Sequence, residues 1–115
     1  MLGYVDDLIL VPAGIALAIK MKAFSERILK RMGSGDELKT FFSKYNGLLY
    51  YTKRSYIEEI ETKDQFFEVL DSPQRVFIVI QAREFNQFKK DSKIELKPIE
   101  QVRVGRWDLV LISNR

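Results

Sequence analysis

The sequence predicts an α/β fold: a small layered sheet with central parallel strands, a C-terminal antiparallel hairpin and an N-terminal helical segment. Three observations predict it. Val76-Phe77-Ile78-Val79-Ile80 is an unbroken apolar run of strand length, and a strand apolar on both faces is covered on both faces, as central parallel strands are. Strand-like and helix-like stretches alternate from Glu37 onward, the order of a layered α/β domain. Val102-Arg103-Val104 and Leu109-Val110-Leu111-Ile112 flank Gly105-Arg106, the pattern of a hairpin that closes a sheet.

The first element is the most apolar. Residues 8–19 read LILVPAGIALAI without a charge; Asp6-Asp7 precede them and Lys20 and Lys22 follow. The run falls short of the ~20 apolar residues of a membrane-spanning helix. Ala16-Leu17-Ala18 has the form of a signal cleavage site, but the segment before it carries Asp6 and Asp7 and no Lys or Arg, the wrong charge for a signal peptide. Two readings stay open: a buried amphipathic helix, and a segment lying in a membrane interface through Leu8, Ile9, Ile15 and Ile19. Pro12 costs ~3 kcal/mol in a helix interior but is accommodated in a first turn. A short helix is therefore expected near residues 3–10 and a longer one over about 12–32, with Ile15, Ile19, Ala23 and Leu29 near one face. Arg27, Lys30 and Arg31 complement the dipole at its end, and Gly33-Ser34-Gly35 stops it. The composition break near Phe24 and this glycine stop suggest residues 1–33 as a helical segment and 34–115 as the α/β domain, packed as one compact unit.

Residues 37–43 read as a strand with Leu38, Thr40 and Phe42 on one face, and residues 56–60 as another. Asn46-Gly47 admits two structures. Between Phe41-Phe42 and Leu48-Leu49-Tyr50-Tyr51 it has the form of a type I′ hairpin, which the pattern favours; the same residues can be a loop with a helical turn. Thr62-Lys63-Asp64-Gln65 is a capping box. It opens a helix with Phe66, Phe67 and Leu70 inward, which ends at Asp71-Ser72-Pro73. After the Val76 strand, residues 82–90 form a helix with Phe85 and Phe88 inward and Lys89-Lys90 at the end that favours cations. Pro98 lacks a ladder donor and belongs at an edge or a bulge.

Composition excludes more function than it assigns. The 115 residues hold no cysteine and no histidine. That removes disulfides, thiolate ligands and nucleophiles, Ser-His triads and most zinc or iron sites. The balance of 19 cations against 16 anions gives a net charge of +3; the positives are dispersed among negatives rather than gathered in a nucleic-acid stripe. Asp6 and Asp7 are neighbours that diverge by about 100° on a helix, unsuited to joint acid–base work. Glu58, Glu59 and Glu61 read as a solvated face. Gly33-Ser34-Gly35 joins helix to strand, the reverse of a dinucleotide fingerprint. No catalytic residue, metal ligand or cofactor is expected.

Two aromatic–cationic clusters remain. Tyr45, Tyr50, Tyr51 and Tyr56 flank Lys44, Lys53 and Arg54, and Trp107 sits with Arg103 and Arg106 at the hairpin tip. Such interleaving packs against a core or stacks sugars and bases. Packing is the first reading; Tyr50, Tyr51, Lys53, Arg54, Arg106 and Trp107 are the candidates for binding a partner or a sugar.

Two resemblances add to this. Leu2-Gly3-Tyr4-Val5-Asp6-Asp7-Leu8-Ile9-Leu10-Val11-Pro12 resembles the end of the small YkvA-like bacterial membrane-protein family, over residues 2–20 and without that family's upstream D-L-I-P-D half. It implies a leaning toward membranes. Residues 24–115 resemble the C-terminal soluble domain of bacterial polyprenyl-phosphate-sugar-dependent membrane glycosyltransferases, relatives of protein mannosyltransferases and aminoarabinose transferases. The matching order is a helix from Ser25 to Arg31, then Gly35-Asp36-Glu37-Leu38, Leu49-Tyr50-Tyr51-Thr52-Lys53-Arg54, Gln74-Arg75-Val76-Phe77-Ile78-Val79-Ile80 and Leu109-Val110-Leu111-Ile112-Ser113-Asn114. Tyr51 and Arg54, a Tyr-x-x-Arg pair, are its most recognisable piece. This resemblance implies an α/β domain beside the membrane on the extracytoplasmic side. It favours the helical turn at Asn46, and it implies an accessory or recognition module, since the catalytic acid of such enzymes lies in their membrane part. The expected partners are a membrane surface or a membrane glycosyltransferase. The alternatives are a small membrane-peripheral or self-associating protein organised by the apolar helix, and a weak single-stranded nucleic-acid binder using Tyr50, Tyr51, Lys53 and Arg54.

Overall fold

A computed structural model describes residues 13–41, 46–54, 57–92, 96 and 98–115. The elements run α1 (Ala13–Arg31), β1 (Glu37–Phe41), α2 (Asn46–Tyr51), β2 (Glu58–Ile60), α3 (Lys63–Leu70), β3 (Val76–Gln81), α4 (Ala82–Ser92), β4 (Glu100–Val104) and β5 (Trp107–Ser113). They build one mixed sheet in the order β2-β1-β3-β5-β4. β1 lies parallel to both β2 and β3, whereas β5 runs antiparallel to β3 and to β4. The α/β class, the parallel strands and the closing hairpin are those the sequence predicts.

β3 occupies the middle of the sheet, and Val76 through Ile80 are all buried. Alternation sorts them between two cores. Phe77 and Val79 join Leu109 and Leu111 under Met21, Phe24 and Ile28 of α1 and Leu48 of α2. Val76, Ile78 and Ile80 join Val110 and Ile112 on the other face, under Phe66 of α3 and Phe85 and Phe88 of α4. Phe41, Phe66 and Phe88 meet there edge-on or tilted, with centroids 5.0–5.8 Å apart, the spacing that aromatic quadrupoles favour. The capping box of α3 is formed: Thr62 Oγ1 accepts from Gln65 N at 3.1 Å and Gln65 Oε1 accepts from Thr62 N at 3.3 Å.

Of the two structures open to Asn46-Gly47, the helical turn forms and the hairpin does not. Those residues open α2, and β1 and β2 pair in parallel, a geometry that requires a crossover rather than a tight turn. The face of α1 against the sheet is Met21, Phe24, Ser25 and Ile28, while Ile19, 61% exposed, and Leu29, 36% exposed, are left in solvent. Both stripes have helical spacing. The buried one carries the larger side chain, Phe24, and Ser25 is tolerated within it because its hydroxyl donates to Met21 O at 2.8 Å. The helix expected over about residues 12–32 is described as the continuous α1, which spans the composition break at Phe24. β1 is described over Glu37–Phe41, and β2 covers Glu58–Ile60, with Ile57 standing outside it. The short helix expected over residues 3–10 lies outside the described residues, as do Asp6, Asp7 and Phe42.

α1 is held across the edge of the sheet by a two-arginine clamp. Arg27 Nε and Arg31 Nη2 donate to the two oxygens of Glu100 at 2.9 and 2.6 Å. The clamp fixes α1 beside β4 and thereby sets one side of the groove described next.

Candidate functional site

α1 and α2 cross at close range. Gly47 makes the approach feasible, since a Cβ on it would stand 2.8 Å from Met21 Cγ. Leu48 then reaches the core. The end of α2 is tied by Thr52, whose buried hydroxyl donates to Leu48 O at 2.6 Å, and by Lys53, which takes a left-handed φ of 56° and donates its N–H to Tyr50 O at 3.2 Å. With Leu48 pointing inward, Tyr50 projects outward, 75% exposed, and Tyr51 is half-buried; their rings meet edge-on at 5.0 Å.

The β4–β5 turn faces this pair. Gly105 adopts a φ of 64°, which permits the tight reversal between Val104 and Trp107, partners in the ladder. Trp107 remains 39% exposed while Val104 is buried. Between turn and helices lies an open groove of about 1110 Å³. Ala18, Met21 and Gly47 line it from the α1–α2 crossing, with Tyr50 and Tyr51 from α2 and Arg103, Val104, Gly105, Arg106 and Trp107 from the hairpin. A second depression of about 500 Å³ shares Tyr50 and Tyr51 and adds Lys22, Glu26, Leu29 and Lys53.

The structure therefore brings together Tyr50, Tyr51, Arg106 and Trp107, which arise from two separate sequence clusters. Lys53 borders the adjoining depression. Arg54 does not join them: its Nη2 lies 3.9 Å from Met32 Sδ, apart from the groove lining. Of the apolar candidates, Leu8 and Ile9 lie outside the described residues, Ile15 falls within α1, and Ile19 is exposed. Sequence reasoning missed Ala18, Met21 and Gly47. The one local signal was a glycine directly before an apolar-aromatic run, and it pointed equally to a hairpin.

The groove is mainly apolar with two guanidinium groups at its edge. Among the described residues neither Arg103 nor Arg106 has a carboxylate partner, whereas Arg27, Arg31, Lys39 and Arg75 each have one. Asp108 stands opposite Arg103 in the ladder, but its Oδ1 accepts from Gln101 Nε2 at 3.0 Å. The displaced carboxyls lie elsewhere. Burial raises the pKa of Glu84, in the first turn of α4 on the far face of the sheet, and Arg83 beside it opposes the rise. Hydrogen bonding from Arg31, reinforced by Arg27, holds Glu100 below the usual carboxylate range against the opposing effect of burial. Among the described residues no group of three acidic side chains could hold a metal ion, and no helix is long and apolar enough to cross a membrane. What the groove offers is stacking, apolar contact and charge-assisted hydrogen bonding.

No protein-family model, no curated protein and no solved structure matches the chain.

Proposed function

We propose that the chain is a non-catalytic recognition module, similar to the soluble domain of membrane glycosyltransferases, that binds through the groove between Tyr50-Tyr51 and Arg106-Trp107. The observation that carries this reading is the convergence of those four side chains on one apolar groove from α2 and the β4–β5 turn. Aromatic walls with a few well-placed polar groups are the usual make-up of a ligand site. The glycosyltransferase part rests on the ordered resemblance that includes Tyr50, Tyr51 and the segments around Val76 and Leu109. The partner is then the membrane portion of such an enzyme, or its acceptor or lipid-linked sugar.

Trp107 is the single tryptophan of the chain, so its emission reports on the groove directly. Titration with a prenyl phosphate in nonionic detergent is expected to shift that emission saturably in the native chain and to do so weakly in Tyr51→Ala and Arg106→Ala. An unchanged emission rejects the groove as the recognition site. Turnover of a polyprenyl-phosphate sugar by the purified chain rejects the non-catalytic assignment.

The exposure of Ile19 supports a second reading, a membrane-peripheral or self-associating protein. Loss of vesicle binding on removal of residues 1–22 supports it; unchanged binding rejects it.

A further inference from the structure

The large hydrophobic side chains left exposed among the described residues are Ile19, Leu29, Tyr50 and Trp107. They are not scattered. Tyr50 and Trp107 line the groove, and Tyr50 and Leu29 line the adjoining depression. On α1, helical spacing puts Ile19 on the same side as Lys22, Glu26 and Leu29, about 100° or more around from the Met21-Phe24-Ile28 face. The charged residues lining the two depressions are Lys22, Lys53, Arg103 and Arg106, against Glu26 alone. All four cations are exposed, and none has a carboxylate partner among the described residues.

Aromatic and aliphatic side chains that protrude among lysines and arginines match the boundary between lipid headgroups and acyl chains. There an amphipathic ring keeps its polar edge in the headgroups, and a cation meets lipid phosphate. The geometry points to this face as a docking surface for a bilayer bearing anionic headgroups, with Tyr50 and Trp107 entering the headgroup layer and Lys22, Lys53, Arg103 and Arg106 pairing with phosphate. The inference rests on the reading of the groove as the recognition site and names a surface that would deliver its ligand. It differs from the sequence-based membrane reading, which placed the contact on residues 8–19. Here the contact lies on α2 and the β4–β5 turn, with only the exposed side of α1 contributing.

The test uses the full chain with phosphatidylcholine vesicles, with and without phosphatidylglycerol, read by co-sedimentation and by Trp107 emission. Binding is expected to the anionic vesicles, with a blue-shifted emission, and to be at least tenfold weaker on phosphatidylcholine alone. The double substitution Arg103→Ala with Arg106→Ala is expected to lower partitioning by at least tenfold, and Tyr50→Ser severalfold. Lys89→Ala with Lys90→Ala, an equal loss of charge on exposed residues of α4 across the sheet, should change it less than twofold. Equal binding to neutral vesicles, equal loss in the α4 pair, or no binding overturns the inference. So does a concentration-dependent dimer that shields Trp107 without vesicles, or tighter binding of a single-stranded oligonucleotide than of the anionic vesicles. If vesicles fail while prenyl phosphate in detergent still shifts Trp107, the docking surface is rejected and the recognition groove stands; if both fail, the groove reading goes too.

Discussion

Gly47 stands against Met21 so closely that a Cβ there would lie 2.8 Å from Met21 Cγ and 3.5 Å from Met21 Cβ. The nearest atom is near the root of the methionine side chain, so swinging the thioether tip aside does not relieve the clash. Alanine would gain ~1 kcal/mol of helix propensity at this position, but overpacking costs ~1–3 kcal/mol. Gly47→Ala is expected to lower stability in urea denaturation and to spread α2 from α1. Met21→Ala removes the clashing Cγ, so the double variant should fall short of the summed losses. A strictly additive double-mutant cycle would show that the close approach is not what Gly47 serves.

Glu100 ties two arginines of α1 to the edge strand. A carboxyl held below its ordinary pKa binds fewer protons when folded than when unfolded. Its contribution is present above the unfolded pKa and is lost as pH falls through the folded one. Glu100→Gln should therefore be less stable than the native chain near pH 7, by about 1 kcal/mol at most because both arginines are well exposed. The gap should close on acidification and narrow in high salt. A gap that widens toward acid contradicts the assignment.

Asn114 fastens the chain's end to the start of β3. Its Oδ1 accepts from Val76 N at 2.7 Å, while its Nδ2 faces the carbonyls of Gln74, Ser72 and Val69 at 2.9, 3.2 and 3.3 Å. Asparagine fits because it offers an acceptor and two donors on one flat group. Aspartate keeps the acceptor but turns a charged oxygen toward three carbonyls. Asn114→Asp is expected to cost ~1–3 kcal/mol, measured by chemical denaturation, with part of the loss recovered at acid pH where the carboxyl protonates and can donate.

Thr62→Ala removes the hydroxyl that caps α3. The expected loss is ~1 kcal/mol. Thr62→Ser, which preserves the acceptor, should retain most of the stability in the same thermal or urea melt. Equal losses in both variants would mean that the threonine methyl, not the cap, matters.

Elements written in short-range chemistry were legible from the residues. The capping box at Thr62, the apolar run at Val76 and the turn at Gly105-Arg106 each carry their signal within a few positions, and all three stand where expected. At Asn46-Gly47 the local pattern favoured the hairpin over the helical turn that forms, for an instructive reason. The dipeptide suits a hairpin, but a hairpin needs the next strand to pair antiparallel, and β1 instead has parallel neighbours on both sides. The phase of α1 was likewise not legible. Two apolar stripes share that helix, and spacing alone does not say which one the sheet will cover.

The candidate site follows the same division. Aromatic and cationic residues at 50–54 and at 103–107 are visible as clusters, because residue type is a local property. Their meeting across one groove, the turning away of Arg54 and the dependence of the whole arrangement on Gly47 against Met21 are not, because they depend on distances between residues far apart in the chain. The sequence by itself determined the α/β class, the buried central strand and the absence of cysteine and histidine chemistry, all consequences of hydrophobic patterning and composition. Only tertiary packing decided which face of α1 is covered and which aromatics are left in solvent, since burying one stripe under the sheet necessarily leaves the other outside.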